Sequence, residues 1–134
     1  DLMPTLLDYA GLDGEKYSKK ASTSQQYFDG ISFNNTLRGN DAQQEKHEYL
    51  YWEYPAAGGM IAVREGKWKG LIKDVHKGNR TMKLFDVSTP GKDIEFDDKD
   101  VAAEHPEIIE RMWGYIEQSH HLAEYEPFNV DITR

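Results

Sequence analysis

The chain contains no cysteine in 134 residues, which removes disulfides and thiol chemistry and leaves the compartment open. No apolar run approaches the ~20 residues that span a bilayer, and no signal peptide is visible. Positive charge is scarce: 16 Lys and Arg stand against 24 Asp and Glu, for a net charge of −8 and a pI near 5.1. Such a surface repels nucleic-acid phosphates and anionic membranes, and no basic cluster in the sequence overrides the average. Apolar residues are also sparse, at 38%. A disordered chain would lack aromatics as well. This one has eight Tyr, five Phe and three Trp, enough with its length for one domain with a real core.

The pattern predicts a short helix first. Leu2, Leu6, Tyr9 and Ala10 share one helical face, Asp1 can cap, Pro4 is tolerated in the first turn, and Gly11 ends the segment. The opening Asp1-Leu2-Met3-Pro4 reads as the start of that helix, and the chain is expected to be a piece of a longer protein. Residues 12–27 are polar and aperiodic, a loop. Phe28 to Leu37 holds a helical turn and ends at Arg38-Gly39-Asn40. The period then shortens. Tyr49–Tyr54, Met60–Glu65, Trp68–Val75 and Met82–Val87 read as four strands, with a hairpin turn at Gly66-Lys67 and a bulge at Gly70. Short links make the sheet an antiparallel meander. After an acidic connection, Ile108, Ile109, Met112, Tyr115 and Ile116 form a helical stripe opened by Pro106, with Glu107 and Arg111 spaced for an i,i+4 pair. The expected fold is α+β, with a four-stranded antiparallel sheet covered by the C-terminal helix. The tail from His120 has no period.

Candidate chemistry is thin. The acidic run Asp93–Asp100 imitates a calcium loop, with Glu104 in twelfth place, but Asp98 stands where the sharp turn needs Gly, so a solvated connection is expected. His120-His121 with Glu124 suggests a metal pair, yet adjacent histidines on a helix diverge, and a frayed helix end is the simpler reading. No His has a triad-like partner spacing. Ser88-Thr89-Pro90-Gly91 reads as a turn. Glu53 and Arg64 flank the Pro55–Gly59 loop and are expected to face each other across the hairpin. They form either a cross-strand ion pair or part of a substrate-cleft rim. Trp52 and Trp68 are core or sheet-face aromatics, with sugar stacking as the alternative. Asn34-Asn35-Thr36 and Asn79-Arg80-Thr81 match the glycosylation sequon.

In order, the chain carries Asp1-Leu2-Met3-Pro4-Thr5-Leu6-Leu7, Asp29-Gly30-Ile31-Ser32, Arg64-Glu65-Gly66-Lys67-Trp68-Lys69, Leu84-Phe85-Asp86 and His105-Pro106-Glu107-Ile108-Ile109. These resemble the closing third of a type I, formylglycine-dependent sulfatase of the alkaline phosphatase superfamily. The resemblance departs at Ser88-Thr89, at Asp97-Asp98 and at Gly70. It implies that residues 1–46 end the parent's main domain and residues 47–134 form its C-terminal subdomain. The parent would hydrolyse sulfate esters on a glycan or aryl substrate with formylglycine and calcium, in the periplasm, in the lysosome or outside the cell. The nucleophile motif, Cys/Ser-x-Pro-Ser-Arg, has no counterpart here, so no catalytic residue and no metal ligand carries over. This chain alone would be inactive, with the rest of the parent as its partner and a role in completing the fold and shaping the cleft. A phosphodiesterase or phosphonate-hydrolase parent, or a free-standing interaction module, is the alternative. A module would present a water-compatible face at Leu2 and Leu6. A cut segment would expose apolar side chains there.

Overall fold

The structure, a computed structural model, describes residues 1–12, 30–89 and 99–133. It divides into two compact units, residues 1–47 and 48–134. The polar loop expected over 12–27 lies outside the described residues except for Leu12, as do Phe28, Asp29, Pro90 and residues 93–98 of the acidic run.

In the first unit, helix α1 runs Leu2–Tyr9 and α2 runs Asn34–Leu37. Asp1 occupies the N-cap position of α1, yet its side chain caps nothing. Its Oδ1 instead accepts hydrogen bonds from Ile31 N at 2.9 Å and His47 Nε2 at 2.7 Å. Thr5, 2% exposed, donates to Asp1 O and accepts from Phe33 N. Residues 30–33 are thereby stitched to the first turn of α1. Gly30 is required there, because a Cβ would sit 2.2 Å from Asp1 N.

In the second unit, β1 (Leu50–Tyr54), β2 (Met60–Glu65), β3 (Trp68–Lys73) and β4 (Lys83–Asp86) pair in sequence order, each antiparallel to the next. Helix α3, Pro106–Ser119, covers one face. The α+β architecture expected from the strand spacing is the one observed. Period-two alternation sends Ile61, Val63, Ile72 and Leu84 toward α3, where Ile108, Met112 and Ile116 meet them. Full burial of Met112 and Ile116, each 0% exposed, contributes on the order of 1.5–3 kcal/mol apiece.

The expected bulge at Gly70 is absent. Val63, Gly70 and Leu84 sit in unbroken register across three strands. The residue is Gly because a Cβ would lie 2.7 Å from the sulfurs of both Met112 and Met82, so its smallness lets α3 approach the sheet. Strand β3 stops at Lys73 rather than Val75, because Asp74 turns into the left-handed region at φ 58° and starts a single 3-10 turn over Val75–Lys77. Asp100, at the end of the acidic run, accepts hydrogen bonds from Leu84 N and Ala102 N, each at 2.9 Å. It satisfies a backbone donor of the edge strand. The aperiodic tail also belongs to the core, since Val130 is 1% exposed within it.

Candidate functional site

Parity decides the fate of the two expected rim residues. Glu53 pairs with Ile61, and Arg64 pairs with Leu50. Glu53 therefore points to the helix-covered face and Arg64 to the opposite one. They do not face each other, and no ion pair joins them. The ten residues between Glu53 and Arg64 bring one strand back on the other in a register that puts odd positions of both on one face and even positions on the other. Arg64 Nε donates to Gly66 O at 3.3 Å and the side chain is exposed.

Glu53 is engaged elsewhere. Helix α3 ends at Ser119, and His120 leaves it with extended backbone, its own N–H still bonded to Ile116 O. The His120 Nδ1 donates to Glu53 Oε1 at 2.6 Å. The Tyr51 hydroxyl donates to the same oxygen. The His120 and Glu53 side chains are 13% and 20% exposed. Burial, then the hydrogen bond to Glu53 and its negative charge, hold the Tyr51 phenol well above its ordinary pKa, so it stays protonated as a donor. The frayed helix end expected at His120-His121 is corrected for the first of the pair: His120 is a half-buried tether between α3 and β1.

A cavity of about 640 Å³ opens beside this cluster, lined by His76, Arg80, His120, Leu122, Glu126 and Asp131 among others. Most of its polar groups are already spent on structure. Arg80 donates to the carbonyls of Thr133, Val75 and Asn79 and to the Asp131 carboxylate at 3.0 Å, which binds the tail to the connection between β3 and β4. His76 Nε2 donates to Pro55 O at 2.8 Å and steadies the β1–β2 loop. A carboxylate-oriented imidazole is half of a nucleophile-activating pair. Among the described residues that line the cavity there is no Ser or Cys, and Thr133 is the one hydroxyl side chain. Among the described residues no group of three or more His, Cys, Asp or Glu side chains could hold a metal ion, and no helix is long and apolar enough to cross a membrane.

A second polar cluster ties α3 to the other end of the same face. Arg111 grips Glu65 through Nε and NH2 at 2.8–3.0 Å, in place of the expected pairing with Glu107, which approaches His105 at 3.5 Å. Tyr115 donates to Glu65 and Glu48 and stacks on Tyr49 at 4.0 Å. Of the tryptophans, Trp113 is buried, Trp68 packs against His105 on the helix side, and Trp52 stands on the sheet face opposite α3, 47% exposed. Asn79 uses its amide on Lys73 O and its carbonyl on Thr81 N, so this sequon's acceptor nitrogen is already engaged.

The sequence signal for Glu53 was its place beside a breaker loop. Tyr51 could have been found by parity with Glu53. His120 was singled out beside His121 and Glu124, but its pairing with Glu53 had no signal, because the two lie 67 residues apart. Comparison of the chain with models of known protein families finds no match.

Proposed function

We propose that this chain is the C-terminal segment of a sulfuric ester hydrolase of the type I sulfatase kind, and that it completes the fold and shapes the substrate cleft without holding the reaction centre. The observation that carries this reading is the surface of α1. Leu2, Met3, Leu6 and Tyr9 are 64%, 51%, 54% and 59% exposed. A helix that met only water would not present four large apolar side chains together, whereas one that seats against a larger protein body would. That body is the parent's main domain in this reading. The order of motifs from Asp1 to Ile109 supports the same choice.

The side chains found here do not make a sulfatase centre. There is no Cys, and Ser88-Thr89-Pro90 lacks the following Ser-Arg. Formylglycine and calcium therefore belong to the parent's main domain, and no step is assigned to this chain. The cleft-shaping surface is the β1–β2 half of the sheet face opposite α3, with Arg64 and the Pro55–Gly59 loop. Glu53 supports it from beneath through His120 and Tyr51.

The test is the reading frame upstream of residue 1. An in-frame Cys/Ser-x-Pro-Ser-Arg motif is expected, and an upstream frame without it overturns the proposal. At the protein level, the purified chain should release no sulfate from p-nitrophenyl sulfate. Turnover by the chain alone would show that the centre lies within it.

A further inference from the structure

The two edges of the sheet differ. At the β4 edge, Leu84 is bonded on its outer side: its N–H reaches the Asp100 carboxylate and its carbonyl accepts from Val101 N, each at 2.9 Å. Lys83 and Asp86 add charge to the same strand. That edge is therefore both occupied and charged. At the β1 edge, no such cover is found among the described residues. Alternate residues of an antiparallel edge strand direct their N–H and C=O away from the one partner they have. Among the described residues, the backbone of Leu50–Tyr54 bonds to nothing outside β2.

The β1 edge also lacks the usual deterrents to further pairing. Leu50–Tyr54 holds no Lys, Arg or Pro, and its five residues pair with β2 without a bulge. Its one charge, Glu53, is already met by His120 and Tyr51. Trp52 and Tyr54 stand 47% and 53% exposed on the face opposite α3.

The order of side chains along β1 matches its own reversal. Laid antiparallel to a second copy about Trp52, Leu50 meets Tyr54 of that copy and the two Trp52 rings meet each other. On the α3 side, Tyr51 meets Glu53 of the second copy. Apolar thus faces apolar on one side of the sheet, and a phenol faces a carboxylate on the other. A two-fold axis at Glu53 would set the two carboxylates against each other. An axis at Tyr51 would bring Glu53 to Tyr49, whose ring already stacks on Tyr115. An unrelated strand would satisfy the backbone groups equally well; the matched order of side chains favours a second copy.

We propose that β1 pairs antiparallel with β1 of a second copy about a two-fold axis at Trp52, which joins the two sheets into one with both α3 helices on the same side. Two chains of net charge −8 repel at long range, and a pairing of five residues is short, so the dimer is weak and reversible. The contact uses neither α1 nor the sulfatase reading, so it succeeds or fails separately from the proposed function.

The test is sedimentation velocity of the full chain from about 10 to about 500 µM, at about 0.3 M NaCl to screen the repulsion. The sedimenting species should shift from monomer to dimer as concentration rises. Trp52→Lys places two ammonium groups across the axis and should raise the dimer Kd about tenfold or more. Leu6→Lys and Leu122→Lys remove exposed apolar surface elsewhere and should leave Kd within about twofold. All three side chains are exposed, and circular dichroism checks that each variant folds. Disulfide trapping reads the register, because the chain has no cysteine of its own. Leu50→Cys and Tyr54→Cys chains mixed together should cross-link on mild oxidation, since opposed Cα atoms lie about 4.5–5.5 Å apart. Neither variant should link to itself, since like positions would lie about 14 Å apart. A monomer at every concentration, a dimer indifferent to Trp52→Lys, a loss of dimer in either control variant, or single variants that cross-link as well as the mixture overturns the proposal.

Discussion

His120 Nδ1 lies 2.6 Å from Glu53 Oε1, joining the first residue past α3 to the edge strand β1 across 67 positions of chain. The bond is mostly shielded from water, and Tyr51 donates to the same oxygen. A hydrogen bond to a charged group is worth about 1.5–3 kcal/mol when its loss strands a partner. His120→Ala should therefore lower the urea unfolding free energy by about 1–3 kcal/mol. A double-mutant cycle with Glu53→Gln should show positive coupling. Additive losses would mean that the two side chains do not share one interaction.

Gly70 should not tolerate alanine. The added methyl meets two methionine sulfurs at 2.7 Å, and both methionines are buried, Met112 at 0% and Met82 at 4% exposure. Overpacking of this kind costs about 1–3 kcal/mol. The better strand propensity of Ala offsets only part of it. Thermal unfolding of Gly70→Ala should show a lowered Tm, and the same substitution made on a Met82→Ala background should cost less, because part of the crowding has been removed. A Tm equal to the parent's would mean that α3 does not press on the sheet at this point.

Arg111 should couple to Glu65 and not to Glu107. The Glu65 contact is bidentate, with side chains 45% and 23% exposed, so solvent screening keeps the coupling near about 0.5–1 kcal/mol. Two double-mutant cycles separate the choices. Coupling of Arg111 with Glu107 and none with Glu65 would reverse the assignment.

Asp86 contributes to the acid sensitivity of the unit. The Ser88 side chain, then the Lys67 ammonium, hydrogen-bond to its carboxylate and depress its pKa from 3.8 to about 2. Because the folded value lies below the unfolded one, the stabilisation is present above pH 3.8 and is lost as pH falls toward 2. Asp86→Asn should flatten that part of the stability curve and leave its slope at neutral pH unchanged. An unaltered acid limb would show that other carboxylates set it.

The strands were legible because aromatic and β-branched residues cluster between breakers, and α3 because its apolar stripe repeats at helical spacing. Parity within a single strand was legible too. The relation between strands was not. Glu53 and Arg64 sit where a loop could bring them together, yet register puts Ile61 opposite one and Leu50 opposite the other. The Gly70 reading failed for a related reason. A glycine in a strand signals either a bulge or a close neighbour, and only the position of Met112 distinguishes them.

Local composition thus determined which segments became helix and strand, the antiparallel order of the meander and the overall acidity, because these depend on neighbours a few residues away. Tertiary structure decided that His120 holds Glu53, that Arg111 holds Glu65 and that Val130 closes the core. Those outcomes depend on how separate segments align in space. A shift of one residue in pairing moves every side chain of a strand to the opposite face, and hydrophobic periodicity along one segment does not specify the alignment of two.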